Sequence, residues 1–120
     1  MGKFTESVLQ QNCVKWFDLQ YPKHKLLLFS VPNEGARTKA NASRLKAQGL
    51  RAGVSDLVFA CINSKYYGLF IEMKSFEGRQ NDNQKAFQIA IEKSGYKYEI
   101  CRSFEQFKEG SRFDQAARVF

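Results

Sequence analysis

Two carboxylates and one amine stand at the ends of two apolar segments in the middle of the chain. Asp56 lies near the start of residues 53–61, and Glu72 and Lys74 lie at the end of residues 67–74. The apolar residues predict two β-strands joined by a hairpin. Because side chains alternate along a strand, Glu72 and Lys74 project from the same face. We therefore expect an acid and an amine on one face, beside a second acid.

Each of these charged residues also has a simpler interpretation. A Glu-x-Lys pair on a strand is commonly an exposed ion pair that contributes little to stability, and Asp56 could merely finish a glycine-rich turn. The neighbouring sequence favours a cleft, since residues 57–61 are apolar without alternation. That pattern is typical of a central strand covered on both faces, so charges attached to it are expected at its ends.

Two carboxylates in a partly buried cleft repel each other unless a cation neutralises them. Mg²⁺ takes carboxylate and carbonyl oxygens, so Asp56, Glu72 and the backbone carbonyl of Met73 form a candidate metal site. Lys74 would lie beside that cation. There it could orient or deprotonate an attacking water, or stabilise negative charge that develops on a phosphate.

The composition indicates a small packed protein. With 120 residues, 43% of them hydrophobic and 11 of them Phe, the chain is predicted to form one domain, residues 1–120, around one core. It contains neither an apolar run long enough to span a membrane nor a signal peptide, so we expect a cytoplasmic protein. The three isolated cysteines are expected to be buried apolar residues and not a disulfide framework or a zinc site: Cys13, Cys61 and Cys101.

The positive charge is concentrated in the first half of the chain. The net charge is +7, and residues 1–52 hold nine basic against three acidic residues, whereas residues 53–120 hold ten against nine. Residues 35–52 contain no acid and five basic side chains, namely Arg37, Lys39, Arg44, Lys46 and Arg51. Such a segment predicts a nucleic-acid-binding surface, although a solubilising surface would have the same composition.

An acidic residue is expected on the buried side of the first helix. Apolar residues recur at helical spacing over residues 4–19. At about 100° per residue, Glu6 points within roughly 20° of Cys13 and Phe17. An acid on that side is costly unless it is paired or bound to a cation, so we predict Glu6 as a further contributor to the metal site. The alternative is a solvated acid that favours the helix dipole.

The remaining segments predict an α/β fold with a mixed sheet flanked by helices. We expect elements in the order α-β-α-β-β-α-β-α, with strands at residues 26–31 and 96–101 and helices at 39–48, 81–94 and 104–108. In the helix at 81–94, four residues are predicted to face inward: Ala86, Phe87, Ala90 and Ile91. Gln84 stands three residues after Asn81 and could close a capping box or contact a substrate phosphate.

The ordered set of motifs resembles the VRR-NUC (virus-type replication-repair nuclease) family, part of the PD-(D/E)xK nuclease superfamily. The resemblance covers roughly residues 5–105. It is carried by Glu6, Pro32-Asn33-Glu34-Gly35-x-Arg37, Gly53-Val54-x-Asp56, Glu72-x-Lys74, Gln84 and Gly95-Tyr96. The family usually has proline before the aspartate, where this chain has Ser55. Because that proline supplies rigidity and no chemistry, we expect the same site to form.

The resemblance implies a restriction-endonuclease-like core and Mg²⁺- or Mn²⁺-dependent cleavage of DNA phosphodiesters. It implies that Asp56 and Glu72 bind the metal and that Lys74 is the catalytic lysine. It likewise gives Glu6 the role of the acid on the N-terminal helix, and Gln84 that of the family's glutamine.

Small standalone members of the family resemble Holliday-junction resolvases, so the resemblance implies a homodimer that acts on branched DNA. Linear, flap or nicked DNA is an alternative substrate. A catalytically silent nucleic-acid-binding module is a second alternative, but it would not need acids beside a basic segment. A protein-interaction domain, the third, leaves the basic segment unexplained.

Overall fold

The helices and strands follow one another in the order predicted from the sequence. The computed structural model describes residues 2–32 and 38–111, with the side chains of residues 2–5 excepted. In chain order the elements are α1 (Gly2–Gln20), a 3₁₀-helix (Pro22–Leu27), β1 (Leu28–Ser30), α2 (Lys39–Ala47), β2 (Leu57–Phe59), β3 (Leu69–Met73), α3 (Asp82–Lys93), β4 (Lys97–Cys101) and α4 (Phe104–Gly110). Among these helices, none is both long and apolar enough to pass through a membrane.

The four strands form one mixed sheet in the order β1-β2-β3-β4. β1 pairs antiparallel with β2, and β2 pairs antiparallel with β3, as the predicted hairpin requires. β4 runs parallel to β3, and α3 provides the crossover that a parallel connection needs. The mixed α/β sheet expected from the sequence is therefore confirmed, with the two predicted apolar strands at its centre.

One face of the sheet forms the main core with α1 and α4. Its buried strand residues alternate along the chain and are Leu57, Phe59, Leu69, Ile71 and Met73. The ring of Phe17 on α1 packs 5.2 Å from that of Phe59, and Phe107 of α4 lies 6.5 Å from Phe17. Cys13 and Cys101 are also buried in this core. Because side chains alternate along β3, Leu69, Ile71 and Met73 point away from the face that carries Glu72.

The opposite face of the sheet is covered by α3 along a narrow stripe. Phe87 packs with its ring 5.5 Å from that of Phe70, and both Phe87 and Ile91 are half-buried. Ala86 and Ala90 are exposed, so their predicted inward orientation is wrong. Each precedes a stripe residue by one position, a rotation of about 100° around the helix, which carries it away from the sheet.

The strand predicted at residues 26–31 is shorter than expected. Pro22 favours a helical start, and the chain forms a 3₁₀-helix as far as Leu27 before the ladder begins at Leu28. Leu26 is consequently 92% exposed rather than part of a strand. α1 ends at Gln20, close to the end of the helical spacing predicted over residues 4–19.

Candidate active site

The strand register places the first two predicted site residues opposite each other. Leu57 pairs with Ile71, so Asp56 and Glu72 are the next cross-strand neighbours and share the face opposite the main core. The carbonyl of Asp56 accepts a 2.9 Å hydrogen bond from the amide of Val31, which extends the β1-β2 ladder to this residue. The amide of Met73 donates a 2.8 Å hydrogen bond to Oδ2 of Asp56. Both the backbone and the carboxylate of Asp56 are thereby fixed.

Glu72 is a buried carboxylate with one unsatisfied oxygen. The residue is 4% exposed. Its Oε2 accepts a 3.1 Å hydrogen bond from Nε2 of Gln84 and lies 3.9 Å from Nζ of Lys74. Within the described part of the chain, no donor reaches its Oε1. Because an unpaired buried carboxylate oxygen is costly, this atom is the natural position for a cation or a proton.

The protonation of the acidic pair reflects its burial. Loss of hydration is the main cause that raises the pKa of Glu72 to about 8, and the neighbouring charge of Asp56 raises it further, while Lys74 opposes the shift. Burial also raises the pKa of Asp56, although the hydrogen bond from the Met73 amide acts in the other direction. Because burial and the charge of Asp56 disfavour the ionised form of Glu72, a positive ion beside the two carboxyls would offset that cost.

Glu6 reaches this site from the other side of the sheet, near the N-terminus of α1. Its Oε2 accepts a 3.0 Å hydrogen bond from the amide of Ser75, the residue after Lys74. The charge of Glu6 is close enough to raise the pKa of both Asp56 and Glu72. The structure therefore brings Glu6 to the acidic pair, as its position on the helix suggested, and in a half-buried environment.

Gln84 forms the predicted capping box and also contacts Glu72, a contact that was not expected from the sequence. Its backbone amide donates to Oδ1 of Asn81 at 2.9 Å, and its Oε1 accepts from the Asn81 amide at 3.0 Å, which completes the capping box of α3. The amide nitrogen of the same side chain, Nε2, donates to Oε2 of Glu72. Capping thus orients the amide group that contacts the site.

A glycine holds the segment before Asp56 against the start of α3. Gly53 has a positive φ of 87°, and a Cβ at this position would lie 2.3 Å from the carbonyl oxygen of Asn83. Only glycine permits this close approach. Ser55 is fully buried, and its hydroxyl donates a 3.4 Å hydrogen bond to the Leu57 carbonyl. The side chain that replaces the expected proline is thus engaged within its own loop.

Comparison with known protein families identifies the family of the chain. The VRR-NUC domain family matches residues 3–105. The chain belongs to the VRR-NUC family. A solved structure of a VRR-NUC domain protein is similar to it with a TM-score of 0.81, covering 95% of this chain and 90% of that chain at 21% identity, so the two share the fold. No curated protein matches the sequence.

VRR-NUC is a nuclease family, so nucleic acid is the class of ligand expected of its members. The structure describes four of the five basic residues of segment 35–52. Four of the five are exposed on α2 or just after it: Lys39, Arg44, Lys46 and Arg51. The fifth, Arg37, lies outside the described residues together with the rest of 33–37. Nη2 of Arg44 donates to Oδ1 of Asn41 at 3.1 Å, which holds one guanidinium near the helix surface.

The candidate site is suited to oxygen coordination. Among residues 2–32 and 38–111, no group of three or more His, Cys, Asp and Glu side chains is arranged to hold a metal ion. The two facing carboxylates with the unsatisfied Oε1 of Glu72 nevertheless fit a divalent cation, because such a cation also accepts backbone carbonyl oxygens and water. The additional oxygen expected from the sequence is the Met73 carbonyl, which by strand geometry points to the same side of β3 as the Met73 amide that contacts Asp56.

Sequence reasoning missed Arg102. Its Nη1 lies 2.9 Å from the carbonyl oxygen of Ser75 and 2.5 Å from that of Gly78, and so organises the loop after Lys74. The residue follows β4, which is parallel to β3, so both strands end at the same edge of the sheet. The only sequence signal for this role was that a charged residue directly follows the final predicted strand. The sequence could not indicate its partners, because they are more than 20 residues away.

Proposed function

We propose that this protein is a Mg²⁺- or Mn²⁺-dependent DNA endonuclease that hydrolyses phosphodiester bonds, with branched DNA as its substrate. The observation that carries the proposal is the buried Glu72 carboxylate, directly across the ladder from Asp56 and 3.9 Å from the Lys74 amine. Membership of a nuclease family supports the same chemistry.

Asp56, Glu72 and the Met73 carbonyl are the proposed cation ligands, with Glu6 as a further acid. Both carboxylates lie on one face of adjacent strands, and one oxygen of Glu72 has no donor in the described residues. A bound divalent cation supplies positive charge that polarises the phosphate and makes water more acidic. Glu6 accepts a hydrogen bond from the Ser75 amide, so its second oxygen is the one that could face a cation.

Lys74 is the proposed catalytic lysine. Its side chain is 14% exposed, and its amine is held near Oε2 of Glu72. From that position it can orient or deprotonate the water, or stabilise charge on the phosphate. Hydrolysis forms one P–O bond from the water oxygen and breaks one P–O bond to the leaving nucleotide. The proton released by water is returned to the leaving oxygen or to solvent. Gln84 holds Glu72 in place by its hydrogen bond.

The basic residues on and after α2 are the proposed DNA-binding surface. Lys39, Arg44, Lys46 and Arg51 are exposed, no acid interrupts their segment, and Arg37 precedes them in sequence. Gly53, which follows this segment, packs against the start of α3, where Gln84 contacts the site. A silent binding module of the same fold would have no use for buried acids near such a surface, since they repel phosphate.

Branched DNA and a homodimer are the finer parts of the proposal. A four-way junction is resolved by paired cuts in two strands, and a two-fold dimer supplies two equivalent sites in the matching symmetry. Linear, flap or nicked DNA remains the alternative substrate.

The deciding experiment compares substrates under three metal conditions. The purified protein is incubated with a four-way junction, a flap and a linear duplex of one sequence, in Mg²⁺, in Mn²⁺ and in EDTA. We expect paired symmetric nicks in the junction with either metal and none in EDTA. Equal cutting of all three substrates would reject the preference for branched DNA. Cleavage that persists in EDTA would reject the metal dependence, and no cleavage of any DNA would reject the endonuclease.

A further inference from the structure

A highly exposed aromatic ring stands at the tip of the loop that follows Lys74. The amide of Gly78 donates a 3.1 Å hydrogen bond to the carbonyl of Ser75, which closes a β-turn with Phe76 and Glu77 at its centre. The Phe76 side chain is 86% exposed. Burying a phenylalanine side chain is strongly favourable, so this position contributes little to folding of the described chain.

Hydrogen bonds hold the turn in place and connect it to Glu6, one of the proposed catalytic residues. The Ser75 amide donates to Glu6, and the Arg102 guanidinium bonds to the carbonyls of Ser75 and Gly78. A Cβ at Gly78 would lie 3.3 Å from Cδ of Lys74, so the turn folds back onto the lysine. Phe76 is therefore held in a defined position, two residues from Lys74 in sequence and fixed to the site on both sides of the turn.

The surroundings of Phe76 suit a nucleic acid strand. Together with Glu77, Gly78, Arg79 and Arg102, it lines an open hollow of about 650 Å³. Arg79 is exposed there and offers positive charge to a phosphate. An aromatic face combined with basic side chains is the arrangement on which unstacked bases are bound. The ring can stack only on a base that has lost its neighbour, because bases inside a continuous duplex are covered on both faces.

We propose that Phe76 stacks on a nucleobase exposed at a strand discontinuity beside the scissile phosphate, and that this contact makes the enzyme prefer interrupted or branched DNA over continuous duplex. The proposal rests on the nuclease function proposed above and identifies the residue that sets its substrate preference. A second copy of this chain is the competing partner for an exposed ring, and the experiment includes that outcome.

The first arm of the test measures preference. Cleavage is compared for a nicked duplex, a four-way junction and a continuous duplex of the same sequence. F76A is expected to lower the ratio of kcat/KM for interrupted DNA over continuous DNA by roughly 5- to 100-fold, the effect of removing one base–aromatic stack. F76W, which keeps an aromatic face, should retain the ratio. The control is L26A, which removes another exposed apolar side chain, 92% exposed, at the end of the sheet away from Asp56.

The second arm measures stacking without cleavage. In the K74Q background, the tryptophan introduced by F76W should be quenched by nicked or junction DNA more than by continuous duplex, after subtraction of the signal from Trp16. The matched control is L26W, whose added tryptophan should respond equally to all DNA forms. Because this arm needs only DNA binding, it tests Phe76 even if the parent protein cuts no DNA. Absence of cleavage would reject the proposed nuclease function, and the fluorescence quenching of the introduced tryptophan would still show whether position 76 stacks on a base.

Two results would overturn the inference. One is an unchanged preference ratio in F76A together with equal quenching of F76W by interrupted and continuous DNA. The other is that F76A converts a dimer into a monomer in sedimentation experiments without DNA while preserving the preference ratio, which would identify Phe76 as a subunit contact.

Discussion

The Nε2 atom of Gln84 lies 3.1 Å from Oε2 of Glu72, so a helix-capping residue donates directly to a buried acid of the candidate site. This one side chain couples the start of α3 to the end of β3. The coupling has a testable consequence, because the capping contact and the site contact are made by different atoms of the residue.

Replacing the two members of the capping box should separate stability from activity. Asn81→Ala removes the cap and is expected to cost about 1 kcal/mol of unfolding free energy, with cleavage largely retained because Gln84 still reaches Glu72. Gln84→Ala should lower stability similarly and also reduce cleavage roughly 10- to 100-fold. Urea unfolding and cleavage rates measure the two effects. Equal activity losses in the two variants would show that Gln84 acts only through the helix cap.

Loss of the proposed lysine or aspartate should abolish cleavage without unfolding the protein. Lys74→Gln and Asp56→Asn are expected to reduce cleavage by about 10²-fold or more, because the first removes a positive charge beside the phosphate and the second removes a negatively charged ligand of the proposed cation. The asparagine keeps an oxygen that can accept from the Met73 amide, as Oδ2 of Asp56 does at 2.8 Å. DNA binding in a gel-shift assay should remain. Parental cleavage rates in either variant would contradict the assigned roles.

Buried Glu72 and half-buried Asp56 should make the cation-free protein less stable as the pH rises. Glu72 ionises near 4.5 in its ordinary state, but its pKa in the folded protein is raised to about 8. Between these values the unfolded chain loses a proton that the native protein keeps, so stability falls with increasing pH across the window. The raised pKa of Asp56 acts in the same direction. Urea unfolding in EDTA should show a loss on the order of a few kcal/mol from pH 5 to pH 8.

Glu72→Gln is the variant that tests this dependence. It removes the ionisable group, so the loss of stability between pH 5 and pH 8 should become much smaller, while Glu109→Gln, at an exposed position of α4, should leave it unchanged. Mg²⁺ at pH 8 is expected to stabilise the parent and not Glu72→Gln. A parent whose stability is flat in EDTA would show that Glu72 is not shielded from solvent as the structure indicates.

Two glycines with positive φ should respond very differently to alanine. A Cβ at Gly53 would collide with the Asn83 carbonyl at 2.3 Å, whereas a Cβ at Gly49 meets nothing within 4 Å. Gly49→Ala should therefore cost only the backbone strain of a left-handed residue, about 1 kcal/mol. Gly53→Ala should cost several kcal/mol more or displace α3. Unfolding midpoints measure the difference, and equal midpoints would mean that the loop does not lie against the helix.

The basic surface should determine the salt dependence of DNA binding. Lys39→Gln with Lys46→Gln is expected to weaken binding and to flatten the plot of log K against log salt, by about 0.9 for each phosphate that is no longer neutralised. The charge-matched control is Lys23→Gln with Lys25→Gln, on the 3₁₀-helix before β1. Identical slopes in both double variants would show that net charge, and not the segment around α2, directs binding.

Much of the site could be predicted because its residues follow simple periodicities. Alternation along one strand placed Glu72 and Lys74 together, and helical rotation placed Glu6 towards the core side. Both patterns are local and depend only on backbone geometry. The order of elements was predictable for the same reason, since the ends of α3 are marked by Asn81 and by Gly95.

Other features depend on contacts between distant segments and left no local signal. Ala86 and Ala90 fit a helical apolar face, but the sheet covers only the stripe through Phe87 and Ile91. The closeness of Gly53 to Asn83 and the contacts of Arg102 with the turn at residues 75–78 arise from tertiary packing. Composition and spacing carry no information about such distances.

The acidic cluster consists of Glu6 from the first helix and of Asp56 and Glu72 from the central strands. Gln84 from the third helix donates a hydrogen bond to it. These segments are far apart in sequence, so a nascent or partly folded chain holds its acids separately. Any hydrolytic capacity of the cluster is then withheld until the last long-range contacts close. Under the proposed function, a partly folded chain would therefore be unable to cleave DNA.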